Sequence, residues 1–246
     1  MDLKNKVAVV TGGGTGIGRA TSILLAERGA LVTVNYSRSQ AEAEETVKRI
    51  TETGGQAIAL RADVSKDDEV RAMMQAVVDR FGTVDLLVNN ASITRHIPMK
   101  DLESVSEDDW DDLFAVNVKG MFFCARAAAP FLKASGRGAI VNLGSIAGQT
   151  GQGSSLPYAV TKAAVHGLTR SLARALAPEI RVNSVIPGAV ATRWWEGREA
   201  AMSQLAPHLP LQRISKPEEI AAMIGSVLEQ EAMTGQLITV DCGQTL

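Results

Sequence analysis

Two side chains that can exchange protons, Tyr158 and Lys162, are four residues apart at the start of an amphipathic stretch. On a helix this spacing puts the phenol and the ammonium on the same face, close enough to interact. A free phenol has a pKa of about 10, and a neighbouring ammonium favours its ionised form. The pair is therefore a candidate general acid and base, although both residues could instead lie on a helix surface without a chemical role.

Ser145 and Asn117 are further candidates for the same site. Ser145 follows the predicted strand Ala139–Leu143 and so lies at the carboxyl end of that strand, where ligands bind in open α/β sheets. From there its hydroxyl can donate a hydrogen bond to a substrate oxygen on which charge develops. Asn117 occurs in a predicted helix rich in apolar residues, where Asn is mildly unfavourable, so it has either a functional or a structural role.

A glycine-rich segment, Thr11–Gly18, directly follows the first predicted strand and opens a helix. In that context the backbone can approach a pyrophosphate closely, and the helix N-terminus offers free N–H groups. The glycines are spaced as Gly12, Gly16 and Gly18, which differs from the usual G-x-G-x-x-G pattern, and a plain strand-to-helix turn is the alternative. The candidate cofactor-binding residues of this segment are Gly12, Gly14, Thr15, Gly16, Ile17 and Gly18.

The end of the second predicted strand bears on the choice of nucleotide. An acidic residue there would bind the ribose 2′-hydroxyl of NAD, but this chain has Asn35, Tyr36, Ser37 and Arg38. Without a carboxylate to repel it, a 2′-phosphate can be held by Ser37 and the Arg38 guanidinium. NADP(H) is favoured as the cofactor and NAD(H) is the alternative, with Arg38 then an exposed loop cation.

Apolar runs alternate with amphipathic stretches along the whole chain, which predicts βαβ units. The fold class is therefore α/β, a doubly wound (Rossmann) seven-stranded parallel sheet with helices on both faces, in a single domain over residues 1–246. The strands are predicted at Lys6–Thr11, Ala30–Tyr36, Gln56–Arg61, Val84–Asn89, Ala139–Leu143, Arg181–Ile186 and Gln236–Val240. The helices are predicted at Gly16–Arg28, Ala41–Thr53, Asp67–Arg80, Asp108–Lys133, Tyr158–Ala177 and Pro217–Gln230.

Two connections, Ser92–Asp108 and Gly188–Lys216, are long for a compact α/β unit, and long connections often carry function. The second contains Trp194 and Trp195 in a chain that is only 4% aromatic. We expect one of these side chains to line a substrate pocket and the other to pack elsewhere or be exposed. Packing without any substrate contact is the alternative.

Composition excludes several other classes of protein. The formal net charge of −2 gives no reason to expect nucleic acid or a membrane as a partner, and no apolar run is long enough to span a bilayer. Two distant cysteines do not suggest a disulfide framework. Three histidines in separate regions suggest no metal site, and we expect a cytoplasmic protein.

From residue 6 to the C-terminus the chain resembles the single-domain short-chain dehydrogenase/reductase family, and within it the 3-oxoacyl-carrier-protein reductases and glucose dehydrogenases. Thr11–Gly18 resembles the cofactor turn of the family, and Asn117, Ser145, Tyr158 and Lys162 match its catalytic tetrad. The resemblance adds Asp63, Val64, Asn90, Ala91, Pro187, Gly188, Val190 and Thr192 to the cofactor-binding residues. Ser92 departs from the pattern, because the family usually has Gly there.

The resemblance implies a mechanism. Tyr158 would donate a proton to a carbonyl oxygen as hydride leaves the nicotinamide, and would accept the alcohol proton in reverse, while Ser145 steadies that oxygen. Lys162 would lower the pKa of Tyr158 and hold the nicotinamide ribose. Asn117 would anchor a water that links Lys162 to solvent. The resemblance also implies a homotetramer.

We therefore expect a ketoreductase that transfers hydride between NADP(H) and a small-molecule carbonyl or secondary alcohol. The alternatives are an NAD-dependent secondary-alcohol dehydrogenase and, from a different class, a non-catalytic NADP(H) sensor. The sensor has no need of a paired phenol and ammonium. The candidate substrate-binding residues are Ile93, Ser145, Gln152, Trp194 and Trp195.

Overall fold

The computed structural model describes residues 1–246, apart from the side chain of residue 199. Seven parallel strands form one sheet in the order β3-β2-β1-β4-β5-β6-β7, so the predicted fold class is confirmed. The strands are β1 Val7–Val10, β2 Leu31–Tyr36, β3 Gln56–Arg61, β4 Leu86–Asn89, β5 Gly138–Leu143, β6 Ile180–Pro187 and β7 Leu237–Val240.

Helices cover both faces of the sheet. They are α1 Gly16–Glu27, α2 Gln40–Glu52, α3 Asp67–Phe81, α4 Glu107–Phe114, α5 Gly120–Ala134, α6 Ala147–Thr150, α7 Leu156–Leu176, α8 Glu199–Leu205 and α9 Pro217–Glu229. None of the helices, as far as the structure describes them, has the length and apolar character needed to cross a membrane.

Alternation along the buried strands divides the core into two layers. In β1 the side chains of Ala8 and Val10 pack with α1, α2 and α9, whereas Val7 and Val9 pack with α3, α5 and α7. Both layers are continuous apolar clusters, which is why the strands are hydrophobic throughout rather than alternating with polar residues. The sheet is therefore a rigid frame for whatever lies at its edges.

Strand order reverses between β1 and β4, which are neighbours in the sheet although two strands separate them in sequence. The helices that follow these two strands leave on opposite faces, which opens a crevice at the carboxyl edge. The glycine-rich segment follows β1, and Asn90 follows β4, so both lie at this switch point.

The helix predicted over Asp108–Lys133 is interrupted, because Ala115–Lys119 forms a π-helical segment between α4 and α5. Asn117 lies in this segment, fully buried, and hydrogen-bonds to groups on a distant loop and on α7. π-helical turns inside α-helices are frequent at functional sites, and a single apolar periodicity does not reveal them.

The helix predicted to start at Tyr158 begins two residues earlier, at Leu156. The Oγ of Ser155 accepts a hydrogen bond from the Tyr158 amide at 3.3 Å, and Pro157 occupies the first turn. This arrangement is a regular helix N-terminus, and it places the phenol in the first turn of α7, facing the carboxyl edge of the sheet.

Candidate active site

A cavity of about 940 Å³ opens at the carboxyl edge of the sheet, between the glycine-rich segment and the connection that follows β6. Most of the residues that the sequence analysis selected line this cavity. The predicted residues that line it are Gly12, Thr15, Gly16, Ile17, Asn35, Tyr36, Ser37, Arg38, Asp63, Val64, Asn90, Ala91, Ile93, Ser145, Gln152, Tyr158, Lys162, Pro187, Gly188, Val190, Thr192, Trp194 and Trp195. Three others, Gly14, Gly18 and Asn117, lie behind its wall and act through packing or hydrogen bonds.

The glycine-rich segment is held in one shape by close backbone approach. Gly12 has φ +60°, which favours glycine, and a Cβ on Gly18 would lie 2.2 Å from the Gly12 carbonyl oxygen. The Asn90 side chain clamps the segment by donating from Nδ2 to the carbonyls of Thr11 at 2.8 Å and Gly12 at 3.0 Å. A Cβ on Gly14 would collide with the Ala43 backbone, so this glycine lets α2 pack against the turn.

Thr11 is a site residue that the sequence analysis missed. Its Oγ1 accepts hydrogen bonds from the amides of Asn90, at 2.9 Å, and Ala91, at 3.0 Å. The hydroxyl thus joins the end of β1 to the end of β4 across the switch point. A threonine directly before the glycines is the only sequence signal for this role.

The nucleotide end of the cavity carries Ser37 and Arg38, both exposed to it. Among the side chains that the structure describes, no carboxylate forms an ion pair with Arg38. Asn35, in contrast, is buried: its Oδ1 accepts from the Gly12 amide at 3.3 Å, and its Nδ2 donates to the Ala62 carbonyl at 3.0 Å. Asn35 therefore supports the turn.

These observations fit a dinucleotide. The close backbone approach at Gly12 and Gly18 leaves the first turn of α1 open to the cavity, where Thr15, Gly16 and Ile17 line the wall. Free N–H groups at a helix N-terminus suit a pyrophosphate. The size of the cavity matches a cofactor and a small substrate together.

Tyr158, Ser145 and Lys162 meet at the floor of the cavity. The Ser145 side chain hydrogen-bonds to the Tyr158 phenol. Lys162 is 2% exposed, and its Nζ donates to the Leu143 carbonyl at 3.0 Å and lies 5.7 Å from the centre of the Tyr158 ring. The end of β5 therefore holds the ammonium directly below the phenol.

Burial dominates the acid–base properties of both groups. It raises the pKa of Tyr158 to about 12, against which the hydrogen bond from Ser145 acts in the lowering direction. Burial also lowers the pKa of Lys162 to about 8. Without ligands, then, the phenol is fully protonated at neutral pH, and the expected lowering of the Tyr158 pKa by Lys162 is outweighed by the loss of water.

Asn117 holds the loop in front of Tyr158. Its Oδ1 accepts from the Ile93 amide at 2.9 Å and from the Ser92 hydroxyl at 3.0 Å. Its Nδ2 donates to the Ile93 carbonyl at 3.1 Å and to Thr161 Oγ1 at 3.2 Å, and Thr161 in turn donates to the Tyr158 carbonyl. An amide side chain has two donor and two acceptor positions, so that of Asn117 is saturated, and Ser92 fills one of them.

The loop after Ser145 reaches its place because Gly148 permits it. A Cβ on Gly148 would lie 2.5 Å from the carbonyl carbon of Lys162, so α6 and α7 are in backbone contact at this point. Gly153 similarly packs against the Tyr158 ring, at 3.1 Å from a virtual Cβ to Cδ1. The sequence analysis selected neither glycine, since both needs arise only from contacts between segments.

Both tryptophans line the cavity, so the expectation that only one does so is wrong. They lie in a 3₁₀ turn, Arg193–Trp195, rather than on an α-helix, and adjacent side chains of such a turn can share a wall. The Trp194 ring centre is 5.5 Å from that of Tyr158. Trp195 donates from Nε1 to the Val190 carbonyl at 3.1 Å.

His166 lies beneath the catalytic loop, on α7 one turn after Lys162. It is buried, its Nε2 has no hydrogen-bond partner among the described atoms, and a Cβ on Gly144 would lie 3.0 Å from that nitrogen. Burial, with the charges of Lys162 and Arg170, lowers the pKa of His166 to about 4. The imidazole is therefore neutral at neutral pH and acts as packing for the loop that carries Ser145.

Comparison with known proteins now decides the family. Residues 6–203 match the family described as short chain dehydrogenase. This chain is a short-chain dehydrogenase. It is accordingly an NAD(P)-dependent oxidoreductase that acts on carbonyl or alcohol groups.

Individual relatives of the dehydrogenase agree with this family. A 3-oxoacyl-[acyl-carrier-protein] reductase, FabG, of Staphylococcus aureus is 40% identical over 242 residues, covering 97% of each chain. The short-chain dehydrogenase/reductase homolog YusR of Bacillus subtilis is 66% identical over 129 residues, which are 52% of this chain and all of YusR. A short-chain dehydrogenase/reductase structure from Burkholderia xenovorans superposes with a TM-score of 0.92 at 34% identity, covering 97% of both chains.

His166 should make the stability of the dehydrogenase depend on acid. Its pKa is about 4 in the folded state and 6.5 in the reference state, so the unfolded chain binds more protons below pH 6.5 and stability falls from there toward pH 4. Between pH 7 and pH 5 the wild type should lose free energy of unfolding, and His166→Gln should lose about 2 kcal/mol less, as measured by urea unfolding. The exposed His208→Gln is the control and should keep the wild-type loss; an unchanged slope in His166→Gln would contradict the prediction.

Lys162→Met should stabilise the ligand-free dehydrogenase at pH 7. The pKa of Lys162 is about 8 in the folded state and 10.5 in the reference state, so folding disfavours the ammonium form. The buried ammonium therefore destabilises the protein at pH 7, and this cost is relieved only as the pH rises from 8 to 10.5. We expect a gain of about 1–3 kcal/mol, after the loss of the bond to Leu143, by urea unfolding. The exposed Lys100→Met is the control; a destabilised Lys162→Met protein would show that the ammonium is not strained by burial.

Proposed function

We propose that this dehydrogenase works as a ketoreductase, in which Tyr158 protonates a substrate carbonyl that Ser145 holds. The observation that carries the proposal is the buried phenol, which has a pKa raised to about 12 and a hydrogen bond to Ser145 inside the cavity. A general acid must be protonated in the resting enzyme, and this phenol is. We place the whole activity in one domain, residues 1–246.

The same protonation state is the one that carbonyl reduction requires. Reduction needs a phenol that can give up its proton, whereas oxidation of an alcohol needs a phenolate as base. Burial disfavours the phenolate, and Lys162 offers the nearest positive charge to stabilise it once it forms. We therefore favour a ketoreductase over an NAD-dependent alcohol dehydrogenase or a non-catalytic sensor.

The cofactor that we propose is NADP(H), which supplies hydride when it is bound. Ser37 and Arg38 would hold its 2′-phosphate, because both face the cavity and no described carboxylate neutralises Arg38. Lys162 would hold the nicotinamide ribose, and the glycine-rich segment the pyrophosphate. NAD(H) is the alternative cofactor, and it makes no use of Arg38.

For Asn117 we propose a positioning role. Its side chain is saturated by Ser92, Ile93 and Thr161, which leaves it no capacity to bind a water. It fixes the Ile93 loop against α7 and so shapes the substrate wall. A water that links Lys162 to solvent would have to be held by groups other than the Asn117 side chain.

For the substrate we propose a ketone or 3-oxoacyl compound with an apolar body. The FabG relative is named for 3-oxoacyl substrates, and Ile93 and Trp194 pack with Tyr158 in one apolar cluster beside the phenol. An apolar group next to the reacting carbonyl would complete that cluster.

A homotetramer in the cytoplasm is the proposed setting. Two alanines of α5, Ala125 and Ala128, are buried inside the chain itself. Phe122 on α5 and Val160 on α7 are instead 38% and 40% exposed. These two side chains are the apolar surface that a second copy would cover.

Tyr158→Phe should abolish carbonyl reduction, by about 10³-fold or more, and leave cofactor affinity within a few-fold, because only the proton donor is lost. Oxidation of NADPH is followed by absorbance with a panel of ketones and 3-oxoacyl thioesters, and cofactor affinity by fluorescence titration. Turnover in the variant equal to that of the wild type would refute Tyr158 as the acid.

Arg38→Ala should weaken NADPH by about tenfold and NADH by less than twofold, since a charge-assisted contact to the 2′-phosphate is lost. Dissociation constants for the two cofactors are measured by fluorescence titration. The exposed Arg174→Ala on α7 is the matched control and should change neither. An equal loss for both cofactors would remove Arg38 from the 2′-phosphate role.

A further inference from the structure

The rim of the cavity above Tyr158 carries cations of two kinds. Arg95 is neutralised, because its Nη2 lies 2.8 Å from Asp112 Oδ2 and its Nε 3.4 Å from Asp109 Oδ1. Arg198 differs: its Nη1 lies 2.6 Å from Nδ1 of His96, and no described carboxylate pairs with it. Both Arg198 and His96 line the same cavity as Tyr158 and Ser145.

Arg198 and His96 are both exposed to solvent, and the imidazole occupies only part of the guanidinium. A guanidinium presents a planar fork of N–H donors that matches a carboxylate or phosphate, and a single imidazole nitrogen satisfies only one of them. Arg198 belongs to the connection after β6 and His96 to the connection after β4. The two groups thus converge on the cavity mouth from opposite sides.

Aromatic side chains of the cavity wall contact both the arginine and the phenol. The Arg198 guanidinium lies 5.9 Å from the centre of the Trp195 ring, and the Trp194 ring centre is 5.5 Å from that of Tyr158. Cation–π contact with Trp195 restrains the guanidinium at the rim. A molecule that reaches from the phenol to Arg198 would therefore have a carbonyl, an apolar or aryl body, and an anionic end.

We propose that Arg198 and His96 form an oxyanion-binding site that selects carbonyl substrates carrying a carboxylate or a phosphate. The proposal rests on the ketoreductase function proposed above, and it adds the class of substrate. An anion would accept hydrogen bonds from Arg198, including the one whose donor now contacts His96, and the displaced imidazole would donate to the anion as well.

The electrostatics of His96 are consistent with this role. Partial loss of water at this exposed ring, followed by the charge of Arg198, lowers the pKa of His96 from its usual value. An anion placed between the two side chains would offset the repulsion from Arg198 and favour the protonated ring. The pair would then supply two positive groups to one oxyanion.

The test uses matched substrates. The keto acid 4-oxo-4-phenylbutanoate carries a charge that its methyl ester lacks, and acetoacetyl-CoA carries phosphates that S-acetoacetyl-N-acetylcysteamine lacks. We expect the wild type to prefer the charged member of at least one pair by about tenfold or more in kcat/KM. Preference within the acid pair assigns a carboxylate on the substrate itself, and preference only within the thioester pair assigns a carrier phosphate.

Two variants locate the preference. Arg198→Met nearly keeps the length of the side chain and removes its charge. It should bring the ratio of kcat/KM for the charged substrate to kcat/KM for the uncharged substrate close to one. Lys100→Met removes a charge from the connection that carries His96 but lies outside the cavity lining, and should keep the wild-type ratio. Equal rates within both pairs in the wild type, or a preference that survives in Arg198→Met, would overturn the proposal.

A binding measurement separates this proposal from the proposed function. The chain has three tryptophans, two of which line the cavity, so 4-oxo-4-phenylbutanoate and acetoacetyl-CoA can each be titrated by tryptophan fluorescence with NADP⁺ present. If no carbonyl is reduced but either compound binds the wild type about tenfold more tightly than Arg198→Met, the ketoreductase function fails and the anion site stands. If carbonyls are reduced without any preference for charge, the function stands and the anion site fails.

Discussion

The burial of one ammonium group, that of Lys162, is the constraint on which the rest of the site depends. Water is excluded from it almost completely, and the Leu143 carbonyl at the end of β5 is its described hydrogen-bond partner. Removal of an ionised group from water is costly, which is why its pKa falls to about 8. The same dry environment keeps the Tyr158 phenol protonated. The proposed acid function of Tyr158 and the cost of burying the Lys162 ammonium therefore have one physical origin, the exclusion of water.

These two groups are enclosed because backbone segments around them approach each other closely, at positions where a side chain would collide. Gly148 brings α6 onto α7 at Lys162, and Gly18 brings the start of α1 onto the Gly12 carbonyl. Polar side chains then lock the segments together. Asn90 and Thr11 tie β4 to β1, and Asn117 ties the loop after β4 to α7. The carboxyl edge of the sheet is therefore rigid where the chemistry takes place.

Variation among enzymes of one fold is concentrated in the connections that cover the site. In this chain the connection after β6 contributes an aromatic wall, Trp194 and Trp195, and an arginine, Arg198, whose described partner is a histidine. The proposed reaction takes place at the floor of the cavity, and the proposed anion site lies at its rim. These two tasks are carried by different segments, which allows the rim to change without disturbing the buried pair.

The sequence by itself determined the order of the strands and of the longer helices, the glycine-rich turn after β1, and the Tyr158, Lys162 and Ser145 constellation, because periodicity, turn residues and short spacings are local properties. It did not reveal the short helices α6 and α8. Only the tertiary structure decided the rest. The π-helical break at Asn117 serves partners near residues 93 and 161, the two tryptophans share a wall because their turn is 3₁₀, and Arg198 meets His96 from 102 residues away. The pKa values of Tyr158 and Lys162 depend on burial, which is a sum over neighbours from the whole chain. Contacts between distant segments leave no periodic signal in either segment, and that is why the sequence could not reveal them.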